Sequence, residues 1–240
     1  MSCLHRHGPG PAVALIPGSY SAASQWDDVV ARLDPDWTVT LIELRGHGDS
    51  WPPPSNGSIE QFAVDCVSVL DTLDIDRLYI GGHSIGGMVA LEVARTHGTR
   101  VKGVLCCEGW TNHHAQEDAF GGATKNVLSP EQTAKAGSAR TTVTQRWTDG
   151  QVKAFGKIWR CWDGYDFLCN TDIPILELYG DRGRPPASLE ALHIPDRPNI
   201  LLRWIEGASH SHLPLARPDE VAAEFTRFVR AVERGEAPSR

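Results

Sequence analysis

The sequence predicts an α/β protein built on one doubly wound, mostly parallel sheet. Short apolar runs of strand length alternate with segments of helical periodicity along most of the 240 residues. That alternation packs helices on both faces of a parallel sheet. No internal repeat and no Pro/Gly/Ser linker divides the chain, and its length suits a single domain. The rhythm breaks once, over 111–170, where a long excursion between two strands carries no strand pattern. Such excursions inside compact domains usually serve a function.

The elements follow in order. Ala12–Pro17 (AVALIP) reads as a buried strand that stops at Gly18. Trp26–Leu33 has helical spacing, and Thr38–Leu44 (TVTLIEL) is the next strand. Across Ile59–Leu73, residues Phe62, Val64, Val67, Val69 and Leu70 recur at helical intervals, with Ser58 as the expected N-cap. Leu78–Gly81 is a strand running into GGHSIGG, and Met88–Thr96 is the helix behind it. Val101–Cys107, Ile173–Tyr179 and Asn199–Ile205 are further strands, and Pro218–Val232 closes the chain as an amphipathic helix. The excursion reads as helical pieces carrying Phe120, Trp147, Phe155, Trp159, Trp162, Tyr165 and Phe167. It is expected to cap the carboxyl ends of the strands, where open α/β sheets bind ligands. The core is then 1–110 with 171–240, and the helical cap is 111–170.

Bulk properties narrow the function. Lys and Arg number 23 against 30 Asp and Glu, a net charge of −7, and no basic cluster stands out. Nucleic acid is therefore not an expected partner. No run of about 20 apolar residues is present, so no membrane span is expected. Residues 1–10 (MSCLHRHGPG) lack the apolar core of a secretory leader, and the expected location is cytoplasmic. The cysteines Cys3, Cys66, Cys106, Cys107, Cys161 and Cys169 lack paired metal-site spacing and are expected as thiols.

The chemistry concentrates in Gly82-His83-Ser84-Ile85-Gly86, a G-x-S-x-G pattern. Gly-rich turns around an ordinary serine also match it, but here an apolar strand precedes and a helix follows, as a nucleophile elbow requires. The elbow bends so sharply that side chains two residues either side of Ser84 would collide, which calls for glycine at both places. It also presents the hydroxyl at a helix N-terminus, where backbone N–H groups and the helix dipole favour a developing oxyanion.

From this motif onward the chain resembles the α/β-hydrolase family over about residues 11–232. Leu15-Ile16-Pro17-Gly18-Ser19 is similar to the family's oxyanion turn, with Pro17 where His is common. The resemblance implies Ser19 and Ile85 as oxyanion donors through their backbone N–H groups. Arg45-Gly46-His47-Gly48-Asp49-Ser50 resembles the family's R-G-x-G-x-S turn, with His47 as a structural loop residue. Gly207-Ala208-Ser209-His210 resembles the turn that carries the catalytic histidine. His212 is the rival, and the glycine spacing favours His210. A His-x-His pair also raises a metal site, but no third ligand has suitable spacing, so no metal is expected.

The acid departs from the family pattern. The usual position, three residues after the glycine that ends strand Ile173–Tyr179, holds Gly183. Asp181 stands two residues early. Some members carry the acid after the preceding strand, and here Glu108 follows Val101–Cys107 at once. A carboxylate at a buried strand end is costly unless paired, and a histidine N–H supplies that pairing. Glu108 is preferred, with Asp181 as the alternative.

The reading implied is a serine hydrolase that cleaves an ester-like, amide or carbon–carbon bond of a small molecule through an acyl-enzyme, with no cofactor. The aromatics of 111–170 suggest an apolar or aromatic substrate, although aromatics also fill small cores by default. The expected pocket lining is Tyr20, His83, Trp110, His113, Trp159 and Trp162. Two alternatives stand: a cofactor-free dioxygenase of N-heteroaromatic substrates on this fold, and a non-catalytic binding protein on a hydrolase scaffold. Dehalogenation of haloalkanes would need Asp at position 84. Acyl transfer and a homo-oligomeric state stay open. The short N-terminus suggests about seven strands rather than the family's eight.

Overall fold

The computed structural model describes residues 2–53, 57–121, 128–210 and 212–236. Seven strands form one sheet: β1 (Cys3–Arg6), β2 (Ala12–Ile16), β3 (Thr38–Ile42), β4 (Leu78–His83), β5 (Val101–Cys107), β6 (Ile175–Gly180) and β7 (Ile200–Ile205), in the order β1-β3-β2-β4-β5-β6-β7. β1 pairs antiparallel with β3, and every other pairing is parallel. Six strands coincide with the apolar runs of the sequence. The seventh, β1, has two exposed central residues in a polar segment, so no hydrophobic pattern announces it.

The alternation of strand side chains builds two cores. Ala14, Ile16, Val104, Cys106, Ile175 and Tyr179 face one side; Val13, Leu15, Leu105, Cys107, Leu176 and Leu178 face the other. The short α1 (Asp27–Val30) follows a 3-10 turn at Ala23–Trp26, where the sequence suggested one helix over Trp26–Leu33. α2 (Ile59–Thr72) and α3 (Ile85–Thr96) cover the first face. Ser58 caps α2, accepting from the Gln61 N–H at 3.2 Å.

Between β5 and β6 lie α4 (His113–Phe120), α5 (Pro130–Thr144), α6 (Asp149–Phe155) and α7 (Tyr165–Asn170). Residues 122–127 of the expected insertion fall outside the described residues. Trp147 and Phe155 of this stretch pack on His47 at ring-centroid distances of 5.5 and 4.9 Å, and the Trp147 Nε1–H donates to the Gly46 carbonyl at 2.9 Å. Past β7 come α8 (Leu213–Ala216) and α9 (Pro218–Glu233). α9 buries Val221, Ala222, Phe225, Phe228 and Val229, one stripe at helical spacing, against the second sheet face. Each fully buried aromatic there contributes roughly 1.5–3 kcal/mol by leaving water.

The strand order reverses at β2: the chain goes outward to β3 and then returns to β4 on the other side. Ligands bind at the carboxyl ends of strands beside such a switch point. The turn after β2 and Ser84 after β4 both lie there.

Candidate active site

Ser84 joins β4 to α3 with φ 54° and ψ −123°, a conformation that side chains rarely adopt. The flanking glycines are steric requirements. A Cβ on Gly82 would stand 2.3 Å from the Gly86 carbonyl carbon, and one on Gly86 would stand 2.3 Å from the Ile16 oxygen. The strained turn is anchored by the Ser84 N–H, which donates to the Cys107 carbonyl at 3.0 Å. Ile85 is the first residue of α3, so its N–H has no intrahelical partner.

The opposite turn, after β2, is held by a relay that the sequence does not reveal. The Gly18 N–H donates to the Gln25 side chain at 2.9 Å, the Gln25 amide lies 3.2 Å from His83 Nδ1, and His83 Nε2 lies 2.7 Å from the His210 carbonyl. A carbonyl only accepts, so His83 carries its proton on Nε2 and accepts on Nδ1. Burial pushes His83 down to about 3, which keeps it neutral for this role. His47 is likewise buried, held down at about 4, and accepts the Tyr20 N–H at 3.0 Å. That bond fixes Tyr20 at φ 58°.

The histidine after β7 finds its carboxylate at Glu108. His210 Nδ1 lies 3.1 Å from Glu108 Oε2, so the ring donates from Nδ1 and leaves Nε2 as the basic nitrogen. Glu108 is fully buried. It also accepts from the Gly180 N–H at 2.7 Å and from both terminal nitrogens of Arg182, at 3.0 and 2.7 Å. Burial alone would push the Glu108 carboxyl up, but the His210 hydrogen bond and the Arg182 charge outweigh it and hold the group below the usual carboxylate range. Glu177, equally buried on β6, is instead pushed up to about 8 by burial, so it is neutral at pH 7. Trp110 covers the other side of His210, stacked at 5.0 Å.

Asp181, the alternative acid, is engaged elsewhere. Its Oδ1 accepts the N–H groups of Gly183 and Gly207, both at 2.7 Å. It ties the turn after β6 to the turn that leads to His210.

Ser19, Tyr20, His83, Ser84, Trp110 and His210 line one cavity of about 320 Å³, together with Ile85 and Trp159. This is at the small end for ligand pockets. Two expected lining residues lie outside its wall. Trp162 is buried in the core, where its Nε1–H donates to Glu92 at 2.9 Å. His113 packs against His114 and toward Trp159. His113 opens α4, and Trp162 sits in the extended stretch before α7; where their side chains point is set by local backbone and packing, which sequence spacing does not report. Most aromatics of 111–170 fill the contact with the core, and only Trp159 reaches the cavity wall. Met88, Gln116, Arg140 and His212 also line it and were not foreseen. His212 stands beside His210 in the cavity, but the Glu108 bond belongs to His210. Arg182 could have been found from its place two residues after Gly180; Gln25 carries no local signal. Among the described residues no group of three His, Cys, Asp or Glu could hold a metal ion, and no helix is long and apolar enough to cross a membrane. All six cysteines are free.

A mostly parallel sheet with one strained serine at its switch point, lining the same cavity as a carboxylate-bound histidine, is the arrangement of an α/β hydrolase. The sequence profile of the alpha/beta hydrolase fold family matches residues 11–156, and the chain belongs to that family. It is 30% identical over 112 residues to a putative carbamate hydrolase, RutD, of Pseudomonas savastanoi, covering 45% of this chain and 43% of that protein. A Mycobacterium tuberculosis protein described as uncharacterized is 40% identical over 87 residues, 36% of this chain and 26% of that one. The chain thus spans less than half the length of these curated relatives. An esterase of Thermogutta terrifontis superposes with a TM-score of 0.75 at 20% identity, covering 96% of this chain and 93% of that one. The fold and membership of a hydrolase family are therefore established.

Proposed function

We propose that this protein is a serine hydrolase that cleaves an ester-like bond of a small molecule through an acyl-enzyme. The observation that carries the reading is the His210–Glu108 hydrogen bond at the wall of a cavity that also holds the strained Ser84. His210 Nε2 takes the Ser84 proton as Oγ attacks the carbonyl carbon. Glu108 fixes the imidazole tautomer and stabilises the imidazolium that forms. The N–H groups of Ser19 and Ile85 receive the oxyanion. The imidazolium then gives its proton to the leaving group. A water activated by the same nitrogen next releases the acyl group and returns Ser84. The names of the related carbamate hydrolase and esterase fit this class of bond.

The test is labelling by a fluorophosphonate and turnover of p-nitrophenyl acetate. Wild type labels and turns over; Ser84→Ala does neither, with kcat lower by about 10⁵–10⁶. Wild type that does neither overturns the reading. Oxygen uptake with a hydroxyquinolone, surviving Ser84→Ala, would establish the dioxygenase instead. Ligand binding with no turnover of any kind would establish the binding protein.

A further inference from the structure

The cavity carries a charge that the acyl-enzyme chemistry does not use. Against a net charge of −7 for the chain, its lining among the described residues includes Arg140 and three histidines and no aspartate or glutamate. Arg140 stands on α5 with its guanidinium carbon 4.5 Å from the centroid of the Tyr20 ring. A cation over an aromatic face is attracted by the ring quadrupole and so is positioned. Tyr20 is itself fixed at both ends, by its N–H to His47 and by its hydroxyl, which donates to the Val152 carbonyl at 2.8 Å.

α5 is also held in place. Gln132 donates to the Leu215 carbonyl at 2.9 Å, Lys135 pairs with Asp28 at 3.2 Å, and Val143 is buried. Ala136, Arg140 and Val143 fall on one helical face; Val143 is buried, and Arg140 stays solvent-exposed while its side chain lines the cavity. Residues one turn away on α5 are Ala136, Gly137, Val143 and Thr144, so no carboxylate of its own helix is placed to neutralise it. The influence of Arg140 reaches His212, whose pKa is lowered by burial first, then by His210 and by Arg140. Arg140 and His212 both line the cavity.

We propose that Arg140 is a specificity-determining residue that receives a carboxylate or similar anionic group on the substrate, so that the preferred substrates are anionic esters. This rests on the serine hydrolase reading for the bond cleaved, but not for the binding of the anion.

The experiment compares p-nitrophenyl monoadipate, an anion, with p-nitrophenyl heptanoate, its uncharged counterpart of similar length. In wild type the ratio of kcat/KM, anion over neutral, is expected to be about tenfold higher than in Arg140→Gln, with the difference in KM. Arg140→Lys retains most of the ratio, because charge rather than fork geometry carries it. Raising salt from about 20 mM to about 500 mM compresses the ratio in wild type and leaves it flat in Arg140→Gln. A second readout needs no turnover: adipate raises the Tm of wild type and not that of Arg140→Gln. If both esters are inert while the Tm shift holds, the hydrolase reading falls and the anion site stands. An ester ratio and an adipate shift that are the same in wild type and Arg140→Gln overturn the proposal.

Discussion

The turns after β5 and β6 invite comparison, because each places a carboxylate just beyond a central strand. Glu108 follows β5 and Asp181 follows β6, on neighbouring strands in register. Both accept backbone N–H groups, and both turns contain a non-glycine residue at positive φ, Glu108 itself at 57° and Arg182 at 57°. Only Glu108 meets His210. The difference is one of reach and direction. Asp181 turns its short side chain back onto Gly183 and Gly207 and serves as a clasp. The longer Glu108 lies beneath His210 and is matched by Arg182, whose side chain is 3% exposed. Arg182 comes from the same turn as Asp181. One turn thus supplies the cation that stabilises the acid on the other, and the two work as a pair.

The sharpest break of this comparison is Glu108→Gln. The amide keeps the shape but gives His210 a donor as readily as an acceptor, which favours the wrong tautomer. We expect kcat on p-nitrophenyl acetate to fall by about 10³–10⁴-fold. A loss of less than about tenfold would remove Glu108 from the role assigned to it.

Next in size is Arg182→Met, which leaves Glu108 buried without its cation. Breaking a buried pair from one side costs about 3 kcal/mol or more, read from urea unfolding at pH 7. The pH dependence has a definite sign. Glu108 is held below its unfolded value, so its contribution is present above about pH 4.3 and is lost as pH falls through the lower folded value. The gap between wild type and Arg182→Met should therefore narrow as pH falls through that lowered folded value, where the carboxyl protonates and no longer needs the cation. A gap that stays constant from pH 7 to pH 3 would count against the ion pair as its source.

The smallest effect is expected from Asp181→Asn. The variant retains an acceptor for Gly183 and Gly207 and loses only the charge, so stability should drop by about 1 kcal/mol and kcat/KM by less than about threefold. A collapse of activity comparable with that of Glu108→Gln would reinstate Asp181 as the acid.

Much of the fold is legible in the sequence. Six of the seven strands are apolar runs whose alternation feeds both sheet faces. α9 shows its buried stripe, and α2 shows both stripe and cap. β1 is not legible, because an edge strand with two exposed central residues lacks an apolar pattern. The helix near Trp26 is shorter than its periodicity suggests, since a 3-10 turn occupies Ala23–Trp26. In the site, His113 and Trp162 are visible as aromatic or titratable residues, but their direction is not.

The sequence by itself determined the elbow at Ser84, because a backbone that bends this sharply excludes Cβ atoms at fixed offsets; the glycine-led turn at His210 was legible only through the family resemblance. It also showed both candidate carboxylates. The tertiary structure decided which carboxylate meets His210, that Arg182 would hold it, that Gln25 and His83 would brace the turn after β2, and that Arg140 would reach the cavity. Those contacts join residues up to 127 positions apart. Strand register and helix packing set them, and neither is written in any single stretch of chain.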